Sequence, residues 1–140
     1  MNWFDANDLC KTEGGKLVEI DSKEENTALV EEMIKQGYTW KKMHFWMGLT
    51  DRKSEGDWRL ETSEKNPTYN KWDAPKEPNS GDGTVDEDCA QIWNTWQFRG
   101  TWSDIPCEID DTSVWNGTYK SFHALCEFPY SGDSFSTVVL

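Results

Sequence analysis

Four cysteines, Cys10, Cys89, Cys107 and Cys126, constrain this 140-residue chain more than any other feature. Their number is even and allows three disulfide pairings. No two form a C-x-x-C arrangement, which argues against a zinc ribbon or a thioredoxin-like motif. Two disulfides in a secreted domain is the reading that fits. The sequon Asn116-Gly117-Thr118 agrees with a secreted glycoprotein. Met1-Asn2-Trp3-Phe4 opens directly into structured-looking sequence with no signal peptide. A secreted chain of this kind is expected to have lost its signal or to be a fragment.

Composition matters next because it pulls two ways. Leu, Ile, Val and Phe number 24 of 140, about 17%, and the formal net charge is -12, a pairing typical of disorder. Nine Trp, four Tyr and six Phe oppose that reading, since each buries a large area. The expectation is one compact acidic domain with an aromatic core. The charge argues against a nucleic-acid partner, which needs a basic face. No apolar run approaches the length of a membrane span, so no membrane insertion is expected.

Along the chain, Trp3, Phe4, Ala6, Leu9 and Cys10 have helical spacing, and Gly14-Gly15 ends that helix. Lys16 to Ile20 is strand-like. Ser22-x-x-Glu25 is a capping box starting a second helix. Ala28, Leu29, Met33 and Ile34 form its apolar stripe, and Gly37 stops it. Short aromatic runs follow between turn residues: Phe45 to Leu49, Asp57 to Leu60, Ala90 to Trp93, Thr101-Trp102 and Ala124 to Phe128. The order predicts an α+β fold. Trp46, Trp93 and Trp102 are assigned to the core, while Trp72 and Trp96 are candidates for an exposed, sugar-stacking role. His44 and His123 have no nucleophile or ligand spacing around them, and no catalytic motif is present. The chain is read as a non-enzyme.

The stretch from Thr62 to Asp88 has little periodicity, and a loop that long in a compact domain is usually functional. Residues 77–88 carry five acids in twelve positions, and no Lys or Arg occurs from Glu77 to Phe98. Uncompensated carboxylates either stay solvated or hold a cation, and oxygen-only ligands suit Ca²⁺. Asp104 and the Asp51/Glu55 pair add oxygens from other turns.

The ordered set of motifs resembles a C-type lectin-like domain. Trp3-x-x-Ala6-x-x-x-Cys10-x-x-x-Gly14-Gly15-x-Leu17-Val18 is similar to its first helix and strand, and Phe45-Trp46-Met47-Gly48-Leu49 to its central strand. Glu77-Pro78-Asn79, Glu87-Asp88-Cys89, Trp102-Ser103-Asp104-x-x-Cys107 and Cys126-Glu127-Phe128 are similar to its binding loop and closing strands. The resemblance implies a domain over residues 1–130 with a tail at 131–140, two helices and small antiparallel sheets, and a long calcium-binding loop. It implies disulfides Cys10–Cys126 and Cys89–Cys107. It implies a sugar-binding Ca²⁺ held by Glu77, Asn79, Glu87 and Asp104, with Pro78 cis and Ser103 in the position of a further ligand and sugar donor. Glu77, Asn79, Glu87, Ser103 and Asp104 would then contact sugar hydroxyls. The E-P-N order is associated with mannose, N-acetylglucosamine, glucose or fucose. Asp51, Glu55 and Asp88 match an accessory Ca²⁺ site, whose acid after E-P-N is replaced by Ser80.

Three departures stand out. Ser103 replaces the family's usual Asn, so restoring Asn is expected to tighten calcium. The segment between Cys107 and Cys126 is longer, and contains Asp110, Asp111, Trp115 and Asn116. The family's first strand is missing, and the β-prone tail from Phe135 to Leu140 is expected to take its place. The implied partners are glycans on cell surfaces or glycoproteins, met by a secreted, extracellular recognition protein of innate-immune type. A homo-oligomer would add avidity to weak single sites. The alternative is a lectin-like fold that binds a mineral or ice surface, or another non-sugar partner.

Overall fold

The computed structural model describes residues 1–38, 43–72, 87–94, 99–112, 114–115, 118–119, 121–129 and 135–140. The elements in chain order are α1 (Trp3–Thr12), β1 (Lys16–Leu17), α2 (Lys23–Lys35), β2 (Met43–Thr50), β3 (Arg59–Leu60), β4 (Cys89–Asn94), β5 (Arg99–Ile105), β6 (Val114–Trp115), β7 (Thr118–Tyr119), β8 (Ser121–Pro129) and β9 (Phe135–Val139).

Both helices start as their side chains dictate. Asn2 caps α1 by accepting from the Asp5 N–H at 2.9 Å, and Ser22 caps α2 by accepting from the Glu25 N–H at 3.0 Å. The return half of the box differs from expectation. Glu25 accepts from Asp21 N at 3.3 Å, one residue before the cap. Past α1, Gly14 adopts φ +92°. Gly15 passes so close to β8 that a Cβ would lie 2.5 Å from Glu127 O, so only glycine fits.

One sheet runs in the order β1-β8-β2-β4-β5, with β3 on β2 and β9 on β8. It is mixed rather than antiparallel throughout: β2 and β8 pair in parallel, with Phe45 opposite His123. The remaining pairs in this sheet are antiparallel. β2 is central and buried on both faces. Its alternation splits the core. Trp46 packs with Trp3, Cys10, Phe122 and Cys126 on the α1 side. Phe45, Met47 and Leu49 pack with Leu29, Met33 and Trp102 on the α2 side. Fully buried Trp must place its N–H. Trp3 Nε1 donates to Met47 O at 2.8 Å, Trp46 Nε1 to Met1 O at 3.1 Å and Trp102 Nε1 to Asn26 Oδ1 at 2.9 Å.

Two expectations need correction. The buried stripe of α2 is Asn26, Leu29 and Met33; Ala28 and Ile34 are exposed. Asn26 turns inward because it serves two groups of β5, donating to Gly100 O at 3.0 Å as well as accepting from Trp102. Trp93 is only partly buried, unlike Trp46 and Trp102. His44 is 1% exposed, stacked on Phe122 with ring centroids 4.8 Å apart. The tail does form a strand: β9 pairs with β8 from Pro129↔Phe135 to Leu125↔Val139.

The disulfides are Cys10–Cys126 and Cys89–Cys107, closing separations of 116 and 18 residues. Chain entropy assigns such loops about 4–5 and about 3 kcal/mol. The first ties α1 to β8; the second ties the start of β4 to the turn after β5, beside the acids described next.

Candidate metal centre

β2 ends at Thr50 and delivers Asp51 at its tip. The chain then turns back on itself through Gly56, at φ +82°, whose N–H donates to Asp51 Oδ2 at 2.8 Å. Asp88 stands just before β4, and Asp51 N–H donates to its carbonyl at 3.1 Å. The result is that carboxylate oxygens of Asp51, Glu55 and Asp88 lie within 4.8 Å of one another. The sequence reading grouped these three acids, and the fold brings them together.

Their electrostatics ask for a cation. Asp51 is buried, Asp88 half-buried and Glu55 exposed. Asp51 Oδ1 and Asp88 Oδ1 are buried and receive no hydrogen bond. Burial pushes the Asp88 carboxyl up to about 7, and the neighbouring Asp51 and Glu55 push it the same way. Asp51 is raised too, first by burial and then by Glu55 and Asp104, against the Gly56 N–H and the Asp88 carboxyl, whose hydrogen bonds lower it. Two buried oxygens without donors, among three hard oxygen ligands, fit a divalent ion such as Ca²⁺.

Of the other expected ligands, Glu87 is buried just before β4 and Asp104 is buried on β5. Asp104 pairs with Ala90 across the sheet and lies close enough to Asp51 to raise its pKa. Ser103, next on β5, pairs with Gln91, and its Oγ accepts from Gln91 Nε2 and from Trp93 Nε1. Glu77, Pro78, Asn79, Ser80, Trp96 and Asn116 lie outside the described residues. The entry to their loop is anchored. Trp102 N–H donates to Lys71 O at 2.8 Å, and Trp72 packs edge-on against Trp102 and tilted on Trp58. Trp72 is thus held by two other tryptophans.

The sequence reading missed Gln91 and Asn26. Both are buried polar residues whose partners lie on other elements, so no local spacing marks them.

A family model described as Lectin C-type domain matches residues 1–114. The chain therefore belongs to the C-type lectin domain family. Members of this family are carbohydrate-binding domains, not enzymes. A perlucin-like protein of the mussel Mytilus galloprovincialis is 37% identical over 109 residues, 78% of this chain and 65% of that protein. The human scavenger receptor C-type lectin carbohydrate-recognition domain superposes with a TM-score of 0.65 at 29% identity, covering 78% of this chain and 77% of that one. The cow CD23 carbohydrate-recognition domain, solved in the presence of a GlcNAc2Man3 oligosaccharide, gives 0.61 at 27% identity, covering 76% and 71%. The chain spans about half to two thirds of the length of the first curated relatives it matches.

Proposed function

We propose that this domain binds mannose-type sugars through a calcium ion, in a secreted recognition protein. The cluster of Asp51, Glu55 and Asp88, with two buried oxygens that no donor reaches, carries the calcium part. In this reading those three residues hold an accessory ion. Glu87 and Asp104, with Glu77 and Asn79 of the loop, hold the sugar-binding ion. That ion supplies a Lewis-acidic seat for two vicinal sugar hydroxyls. The carboxylates of Glu77 and Glu87 accept the hydroxyl protons, and the Asn79 amide donates to a sugar oxygen. The oligosaccharide present with cow CD23 supports a glycan partner. Two disulfides support an oxidising compartment. Among the described residues no helix is long and apolar enough to cross a membrane.

The test is a glycan array probed with calcium and then with chelator. Retention on mannose, N-acetylglucosamine or fucose that disappears with chelator is the expected result. Retention that chelator leaves unchanged defeats the proposal and favours a calcium-independent surface. Glu77→Gln with Asn79→Asp is expected to lower mannose binding and let galactose in.

A further inference from the structure

Ser103 stands in the ligand position of the family pattern, yet its surroundings give it other work. It is 3% exposed and faces Gln91, its cross-strand partner, which is 0% exposed. A hydroxyl oxygen has two lone pairs. One accepts from Gln91 Nε2 and the other from Trp93 Nε1, at 2.8 Å. With its amide nitrogen on Ser103, Gln91 turns its oxygen to His44 Nδ1 at 2.7 Å, so His44 donates there. The His44 ring in turn packs against Trp93 and Phe122. A single line of side chains thus crosses β2, β4 and β5. A metal taking Ser103 Oγ would have to displace one of two donors and leave that N–H without an acceptor.

We propose that Ser103 is a positioning residue and not a calcium ligand. It is the hub that locks β4 to β5 through Gln91 and Trp93, and so fixes where Glu87 and Asp104 stand. The effect on calcium rests on the function proposed above; the hub itself does not. The same geometry reverses the expectation for Ser103→Asn. Asparagine carries two more heavy atoms, reaches one bond further and would enter space that the Gln91 amide occupies. Its size disrupts the line instead of completing a site.

The experiment is a double-mutant cycle on the whole chain, with Ser103→Ala, Gln91→Leu and both, read by thermal unfolding in chelator and by calcium titration. Each single change is expected to lower Tm by about 3–10 °C, because it strands buried groups. The double is expected to cost clearly less than the sum. Calcium affinity should weaken to a similar extent, less than about tenfold, in both singles. Ser103→Thr, which keeps the hydroxyl, should restore Tm and affinity. Ser103→Asn should lower Tm without tightening calcium. Additive Tm losses overturn the hub. A tenfold or greater loss of affinity in Ser103→Ala alone, with Gln91→Leu at the wild-type value, overturns the positioning role and makes Ser103 a ligand, as does tighter calcium in Ser103→Asn at unchanged Tm. If the variants do not fold, wild-type protein decides. The Trp93 indole N–H should stay protected from solvent exchange with and without calcium, and loss of protection on adding calcium overturns the proposal. A wild-type chain that binds no calcium defeats the proposed function, and the cycle in chelator still decides the hub.

Discussion

Two groups of buried carboxylates in this domain have been treated very differently. Glu19 and Glu127 form one. Lys16 Nζ reaches both, at 3.5 and 3.6 Å, and backbone N–H groups of Glu19 and Thr62 donate to their oxygens. Asp51 and Asp88, with Glu55 beside them, form the other. Among the described residues no lysine or arginine pairs with Asp51 or Asp88, and each leaves one buried oxygen without a donor. The difference is instructive because burial raises the Glu127 carboxyl just as it raises Asp88. Desolvation alone therefore does not mark a metal centre. The missing compensation does. The first group is partly compensated by Lys16 from within the chain; the second has no such lysine or arginine among the described residues.

The sharpest way to break this contrast is to remove the demand. Asp51→Asn or Asp88→Asn should weaken calcium by at least about tenfold, since each deletes a charged ligand. The same change should raise the Tm of the metal-free protein, because it relieves repulsion between buried acids. A calorimetric titration and a melting curve in chelator check both. A variant less stable in chelator, with calcium unaffected, would place Asp51 and Asp88 among ordinary structural acids.

The next effect makes the first group resemble the second. Lys16→Met removes the only side-chain cation within 4.0 Å of Glu19 and Glu127 among the described residues. Lys16 is about one third exposed, so the cost should fall between that of a surface pair and that of a buried pair, about 1–3 kcal/mol. Denaturant unfolding measures it. Loss of Lys16 should push the Glu127 pKa higher, which carboxylate NMR titration reads directly.

A third contrast lies in pH. Asp88 is raised from 3.8 to about 7 in the metal-free fold. A group raised in the folded state favours folding most below its unfolded pKa, near 4, and loses that contribution as pH climbs through about 7. The metal-free protein should thus lose stability between pH 5 and 8 through this cluster. Calcium must displace the same proton, so its affinity should fall as pH drops below about 7. The stabilisation gained on adding calcium should therefore grow from pH 5 to pH 8. A calcium-induced Tm shift that is flat across that range would show that the cluster is not where the ion binds.

The contrast also explains what the sequence disclosed. Trp3, Trp46 and Trp102 lie at spacings that mark helix and strand faces, so the α+β fold was legible; four cysteines alone allow three pairings, and the observed one was legible only through the family resemblance. Asp51, Glu55 and Asp88 were legible through a family pattern, not through local spacing; 32 residues of chain separate Glu55 from Asp88. Asn26, Gln91 and His44 were not legible. Each is polar, each is buried, and each is justified only by a partner on a different strand or helix. Hydrophobic periodicity assigns such residues to solvent, as it did when it placed Ala28 and Ile34 inward in place of Asn26.

The smallest expected effect is the most discriminating control. Glu127→Gln removes a carboxylate that burial already disfavours, and the amide oxygen can still accept from Glu19 N–H. What is lost is its attraction to Lys16, a partly exposed partner that keeps Glu19 at 3.5 Å. Relief of repulsion with Glu19 offsets that loss. The net change should stay within about 1 kcal/mol, and calcium affinity should not move. Asp88→Asn, also a change of one buried carboxylate to its amide, should change calcium affinity by an order of magnitude or more. Two isosteric substitutions at two half-buried acids, one expected to leave calcium affinity unchanged and the other to weaken it, and both measured on the same instrument, separate a cluster compensated by a lysine from one built around an ion. Equal effects of the two on calcium would mean that the distinction drawn from Lys16 and the orphaned oxygens does not hold.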